Sequence, residues 1–130
     1  MAKRLASAQL AKSTKETEIL TFPSWLEINL DALAHNLKQI RQHTKATVCP
    51  ILKGDAYGHG APVLSSFFKS RGLELQGVSD LQEALEIIPF SSAKIFLLTP
   101  PLPSQLPLVL EHKLMPTVTS AQLILELGLL

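Results

Sequence analysis

The stretch "ILKGDAYGHG", residues 51–60, places a lysine at the end of an apolar run and follows it with Gly54, Asp55, Tyr57, Gly58 and Gly60. Two chemistries suit Lys53. It is either a solvated charge marking the exit of a strand or an amine held in a dry pocket for covalent work. Tyr57 offers a neutral phenol that can donate or accept a hydrogen bond. Gly58 and Gly60 allow close backbone approach and a tight turn before the next element. The spacing is neither a Walker nor a Rossmann phosphate loop, so it implies no nucleotide. His59 has no compelling chemical task here beyond a structural hydrogen bond.

Other reactive groups are scattered. His35, His43, His59 and His112 lack ligand spacing, and no cysteine or paired carboxylate completes a metal site. Cys49 falls inside an apolar run and reads as a small buried hydrophobe. Asp31 and His35 sit one helical turn apart as cap and surface neighbour. Asp80, Glu83 and Glu86 begin or line a helix, where carboxylates favour the dipole and face water.

The elements that must position Lys53 alternate along the chain. "WLEINL" reads as a strand, Asp31 can cap a helix with Leu33, Leu37 and Ile40 on one stripe, and "TVCPIL" reads as a second strand. A helix starts near Ala61, where Pro62 fits the first turn, and Gly72 stops it. "LELQGV" leads into "SDLQEALEII", with Ser79 and Gln82 in capping-box register and Pro89 closing the helix. "KIFLL" is a compact strand, a proline-rich turn and a short helix around Leu108 to His112 follow, and "MPTV" is a last strand. Thr119 and Gln122 make another capping box for the final helix.

Apolar strands joined by helices imply a parallel α/β sheet, because parallel neighbours need crossover connections. About four such β/α units can complete a small open sheet. They cannot complete a (β/α)8 TIM-type barrel, which typically needs about 250 residues. Spacing alone leaves the open sheet and the partial barrel both standing.

Composition bounds the function. The chain has 130 residues, 46% hydrophobic and 18% charged, which suits one globular domain. A net charge of +1 gives no electrostatic case for nucleic acid or an anionic membrane surface. No stretch approaches the roughly 20 apolar residues that span a bilayer. One cysteine favours a reducing, cytoplasmic setting. Residues 1–22 read as a polar, flexible N-terminal extension, with Lys12, Lys15, Glu16 and Glu18 interrupting any signal-peptide core.

Three segments in order, "WLEINLDALAHNLKQIRQ", "ILKGDAYGHG" and "GVSDLQEALEI", resemble the N-terminal part of alanine racemases, fold-type III enzymes that use pyridoxal 5′-phosphate (PLP). The Lys-x-x-Ala-Tyr-Gly-His-Gly pattern carries the likeness, with a strand before it and a helix after it. The resemblance runs from about Trp25 to Leu127 and covers the first third or so of the family's length. Residues 23–130 then correspond to part of the racemase (β/α) barrel domain, resembling the first half of that barrel. Two positions depart from the family pattern: Gly54 stands where alanine is usual, and Asn29 where aspartate is usual.

The resemblance implies that Lys53 forms the Schiff base with PLP and serves as one acid/base, and that Tyr57 hydrogen-bonds the cofactor phosphate. It also implies interconversion of L- and D-alanine for peptidoglycan, and a homodimer in the complete fold. Chemistry agrees with this. An amine must be unprotonated to attack an aldehyde, and desolvation favours that form. Barrel enzymes project their reactive groups from the C-terminal ends of strands, where "VCPILK" puts Lys53.

The family's second base is a tyrosine from the partner subunit's C-terminal domain, whereas the one tyrosine here is Tyr57. The arginine at the pyridine nitrogen and the following β domain are also unmatched. These 130 residues alone are therefore expected to be poorly stable or self-associating, and not a competent racemase. The alternatives are a non-catalytic, truncated or decayed racemase segment, or another fold-type III PLP amino-acid racemase.

Overall fold

A computed structural model describes residues 25–129; the expected extension over residues 1–22 lies outside the described residues. Helix α1 spans Leu30–His43, and α2 spans Ala61–Ser70. Strand β1, Leu75–Val78, leads to α3, Leu81–Ile87. Strand β2, Lys94–Leu97, is followed by α4, Leu106–Glu111; β3, Met115–Pro116, is followed by α5, Ala121–Gly128. Short 3₁₀ turns lie at Ile88–Phe90 and Pro103–Gln105.

The sheet is parallel with order β1-β2-β3. Leu75 pairs with Lys94 and Val78 with Leu97, then Phe96 with Met115 and Leu97 with Pro116. Each connection between parallel neighbours carries a helix, as crossovers require. Beyond the last pairs, Leu98 N–H donates to the Val78 carbonyl at 2.9 Å and Thr99 N–H to the Ser79 carbonyl at 2.8 Å.

Two expected strands come out differently. "TVCPIL" joins the sheet through a single parallel bridge, Ile51 to Gly77. Leu52 N–H donates to the Gly77 carbonyl at 2.7 Å, and Gly77 N–H to the Pro50 carbonyl at 2.9 Å. Pro50 lacks an N–H and cannot extend the ladder as a donor. "WLEINL" is no strand: residues 25–29 are irregular and find no ladder partner among the described residues. Asn29, not Asp31, caps α1, its Oδ1 accepting Ala32 N–H at 2.9 Å, while Asp31 lies within the first turn.

The core forms between the sheet and the inward faces of α2, α3 and α4. Val78, Ala84, Ile87, Leu97 and Val109 are completely buried, and Leu52 nearly so. Ile28, Leu30 and Leu33 add a partly buried flank from α1 and the segment before it. At their junction with Pro50–Leu52 a cleft of about 550 Å³ remains, with Asn29, Asn36 and His59 on its wall; neither Lys53 nor Tyr57 lines it. One polar pair is buried with the core. Ser65 Oγ donates to Gln76 Oε1 at 2.6 Å, and Gln76 Nε2 donates back to the Ser65 carbonyl at 2.9 Å. The exchange fixes α2 against β1 with its polar atoms satisfied.

Candidate functional site

The chain leaves the Ile51–Gly77 bridge and turns at once. Residues Lys53–Gly58 form a helical turn whose inner members are left-handed: Gly54 (φ 59°, ψ 45°), Asp55 (53°, 46°), Ala56 (55°, 45°) and Tyr57 (56°, 39°). Glycine opens this turn without steric cost, and aspartate tolerates it better than most residues. For Ala56 and Tyr57 the conformation costs about 1–2 kcal/mol each, so surrounding contacts must hold it.

Several do. Ala56 is buried, and its N–H donates to the Leu52 carbonyl at 2.8 Å. Gly60 N–H donates to the Asp55 carbonyl at 3.0 Å and His59 N–H to the Ala56 carbonyl at 3.2 Å. Asp55 Oδ1 accepts Ala61 N–H at 2.6 Å, supplying α2 with a cap from outside its own first turn. Gly60, at φ 88°, occupies the N-cap position itself, where a side chain would be strained. The His59 ring faces the carbonyls of Ala56 and Tyr57 at 2.9 and 3.0 Å. Carbonyls only accept, so Nδ1 carries the proton and donates to them. His59 thus has the structural hydrogen bond expected of it.

A left-handed turn repeats about every 3.6 residues, like its mirror image, so residues four apart share a face. Lys53 and Tyr57 are four apart, and Lys53 Nζ lies 5.8 Å from the Tyr57 ring centroid. Lys53 is half-buried and Tyr57 is 64% exposed. Among the described residues no carboxylate pairs with Lys53 and nothing hydrogen-bonds the Tyr57 hydroxyl. The amine and the phenol stand together at the C-terminal end of the paired segment, beside the end of β1.

Glu83 was not expected here. Its Oε1 accepts Gly54 N–H at 2.7 Å, and its Oε2 accepts Ser79 N–H at 2.7 Å. The α3 cap is Asp80, whose side chain accepts Glu83 N–H at 3.1 Å. The expected box at Ser79 and Gln82 is displaced by one residue, and that shift turns Glu83 from a solvated carboxylate into a bridge. The usable signal was Asp80 with Glu83, an equally good capping pair in the same five residues.

The remaining candidates stand apart. Cys49 is half-buried near Gly77, and burial pushes its thiol up, away from the reactive thiolate. Asp31 and His35 are exposed on α1. Among the described residues no cluster of histidine, cysteine and carboxylate could hold a metal ion, and no helix is long and apolar enough to cross a membrane.

Residues 28–128 match the family described as "Alanine racemase, N-terminal domain". An alanine racemase of Caldanaerobacter subterraneus subsp. tengcongensis is 36% identical over 101 residues, which are 74% of this chain and 26% of that protein. One from Halothermothrix orenii is 31% identical over 112 residues, 84% of this chain and 30% of that protein. Among solved structures, alanine racemase of Clostridium difficile 630 superposes with a TM-score of 0.78 at 27% identity, covering 84% of this chain and 30% of that one. Histidine racemase from Leuconostoc mesenteroides subsp. sake gives 0.69 at 27%, covering 76% and 27%. The chain spans between about a quarter and a third of the length of these relatives. The parallel β/α units are thus part of the racemase barrel, not a small open sheet, and the chain belongs to the alanine racemase family through its N-terminal domain.

Proposed function

We propose that this chain is the cofactor-anchoring part of a PLP-dependent alanine racemase, an isomerase that interconverts L- and D-alanine. The observation that supports this reading most is the pairing of the Lys53 amine with Tyr57 on one turn, 5.8 Å from amine to ring, at the C-terminal end of the sheet.

The residues present fit the cofactor. Among the described residues the amine has no carboxylate partner, which suits an aldehyde, and the phenol hydroxyl has no hydrogen-bond partner, which suits a phosphate oxygen. A side-chain carbon placed at Gly54, Gly58 or Gly60 would meet nothing within 4 Å, so the turn leaves room above it. When bound, PLP supplies an electron sink for the carbanion formed at the substrate α-carbon. Lys53 would hold the aldehyde carbon and then move a proton at its own Nζ on one face of the substrate. Tyr57 would donate a hydrogen bond from its hydroxyl to the phosphate and help hold the cofactor relative to Lys53. The left-handed turn holds both groups before any ligand arrives, which lowers the ordering cost of binding.

Alanine as substrate, homodimer assembly, a cytoplasmic setting and a role in supplying D-alanine for peptidoglycan belong to the same proposal. The structural likeness to a histidine racemase favours a second reading, racemisation of a different amino acid on the same Lys53 and Tyr57 framework.

Incubation with PLP, borohydride reduction and peptide mapping test the proposal. A pyridoxyl group on Lys53 is the expected result. Labelling spread over surface lysines such as Lys38, Lys45 and Lys113, with none on Lys53, would overturn it.

A further inference from the structure

Glu83 sits at the third position of α3, where a glutamate ordinarily reaches back to the amide of its own cap residue. Here one oxygen goes one residue further back, to Ser79, and the other leaves the helix for Gly54, 29 residues away in sequence. Helix capping needs only one of these two bonds. The bond to Gly54 concerns the lysine turn.

The Gly54 amide is the second N–H of that turn, a position with no partner inside it. Its peptide plane also contains the Lys53 carbonyl and the Lys53 Cα, because the peptide bond is rigid. A carboxylate that fixes this N–H therefore restrains the Lys53 Cα from which the side chain departs. Its bond to a charged acceptor is about twice as strong as a neutral one. The other oxygen is held by Ser79, the residue directly after β1, so the reference point for Lys53 is the end of the neighbouring strand.

We infer that Glu83 is a positioning residue for Lys53, stapling the lysine turn to the β1–α3 junction through the Gly54 and Ser79 amides. This inference rests on the reading of Lys53 as the PLP lysine. Glu83 does not touch the cofactor in this account; it acts through the backbone.

The test compares the unchanged chain with Glu83→Ala, Glu83→Gln and Asp80→Ala. Asp80→Ala removes the α3 cap while leaving the Gly54 bond, so it controls for weakening of the helix. Three quantities are read: the Kd for PLP, the fraction of Lys53 fixed by borohydride, and the exchange rate of the Gly54 amide. Glu83→Ala should raise Kd about tenfold or more and speed Gly54 exchange, since two charge-assisted bonds are lost. Glu83→Gln keeps one acceptor oxygen and should fall between. Asp80→Ala should lower the melting temperature while leaving Kd within about twofold. An unchanged Kd in Glu83→Ala, or an equal loss in Asp80→Ala, overturns the inference. If the unchanged chain takes no label at Lys53, the cofactor reading fails by itself. Gly54 exchange then decides the staple alone, and no acceleration in Glu83→Ala overturns it.

Discussion

Asp55 Oδ1 accepts the Ala61 N–H at 2.6 Å, joining the middle of a left-handed turn to the first residue of the right-handed helix that follows. The two hands of backbone meet at Gly58 to Gly60, and one short side chain spans the change. A carboxylate at that position also stabilises the positive end of the α2 dipole.

Asp55→Ala should therefore cost about 1–2 kcal/mol, combining a lost cap with a less tolerant residue at positive φ. Asp55→Asn keeps an acceptor oxygen and a residue that accepts the left-handed region, so it should retain most of the stability. Urea denaturation followed by circular dichroism separates the two. Equal midpoints for both variants and the parent would remove Asp55 from this role.

The Ser65–Gln76 exchange makes a different prediction. Gln76→Met keeps the volume but strands the Ser65 hydroxyl in the core, and should cost about 1–3 kcal/mol. Adding Ser65→Ala removes the stranded group. The double variant should then lose less than the sum of the single losses, by about 0.5–3 kcal/mol in a double-mutant cycle. Strict additivity would show that the two residues do not act as a pair.

Gly77 is constrained by space. A carbon at its Cβ position would lie 2.6 Å from Ile51 Cδ1, the far end of the side chain just before Leu52 and Lys53. Gly77→Ala should push Ile51 aside and destabilise the chain by roughly 1–3 kcal/mol. Ile51→Val removes the offending methyl, so Gly77→Ala/Ile51→Val should recover much of that loss. Thermal melts of the three variants check the compensation; a double variant no better than Gly77→Ala would contradict it.

For Tyr57 the readout is cofactor retention. Tyr57→Phe removes the hydroxyl and keeps the ring beside Lys53, so labelling of Lys53 at saturating PLP should survive. The Kd should rise about tenfold or more, the loss expected for one hydrogen bond to a charged phosphate. An unchanged Kd would place the phosphate elsewhere.

Much of the architecture was legible in residue patterns. The β/α alternation, the buried run at Lys94–Leu97, the Pro62 entry to α2 and its end before Gly72 follow from periodicity and turn chemistry. Caps were legible only to within one or two residues. Ser79 and Asp80 both carry capping side chains, as do Thr119 and Ser120, and backbone angles choose Asp80 and Ser120. The expected first strand failed because pairing depends on a partner outside the local window, which periodicity cannot supply. Lys53 and Tyr57 were visible as a motif. The left-handedness that unites them was not, since Ala56 and Tyr57 carry no preference for it. Glu83 was hidden by the one-residue cap shift.

The single bridge from Ile51 to Gly77 has a further consequence for ligand binding. Two backbone bonds hold the segment to the sheet, with the Gly54–Glu83 bond and the buried Leu52 side chain beside them. Its opening as a local unit is expected below the free energy of global unfolding. Only the closed arrangement presents Lys53 and Tyr57 at the end of the sheet, so the apparent affinity for a ligand that needs them there equals the intrinsic affinity multiplied by the closed fraction. Mass action then runs both ways: a bound cofactor draws the segment onto the sheet, and whatever clamps the segment tightens the cofactor by the same factor. On the proposed function, attachment of the segment at the Ile51–Gly77 bridge and occupancy of Lys53 are coupled equilibria.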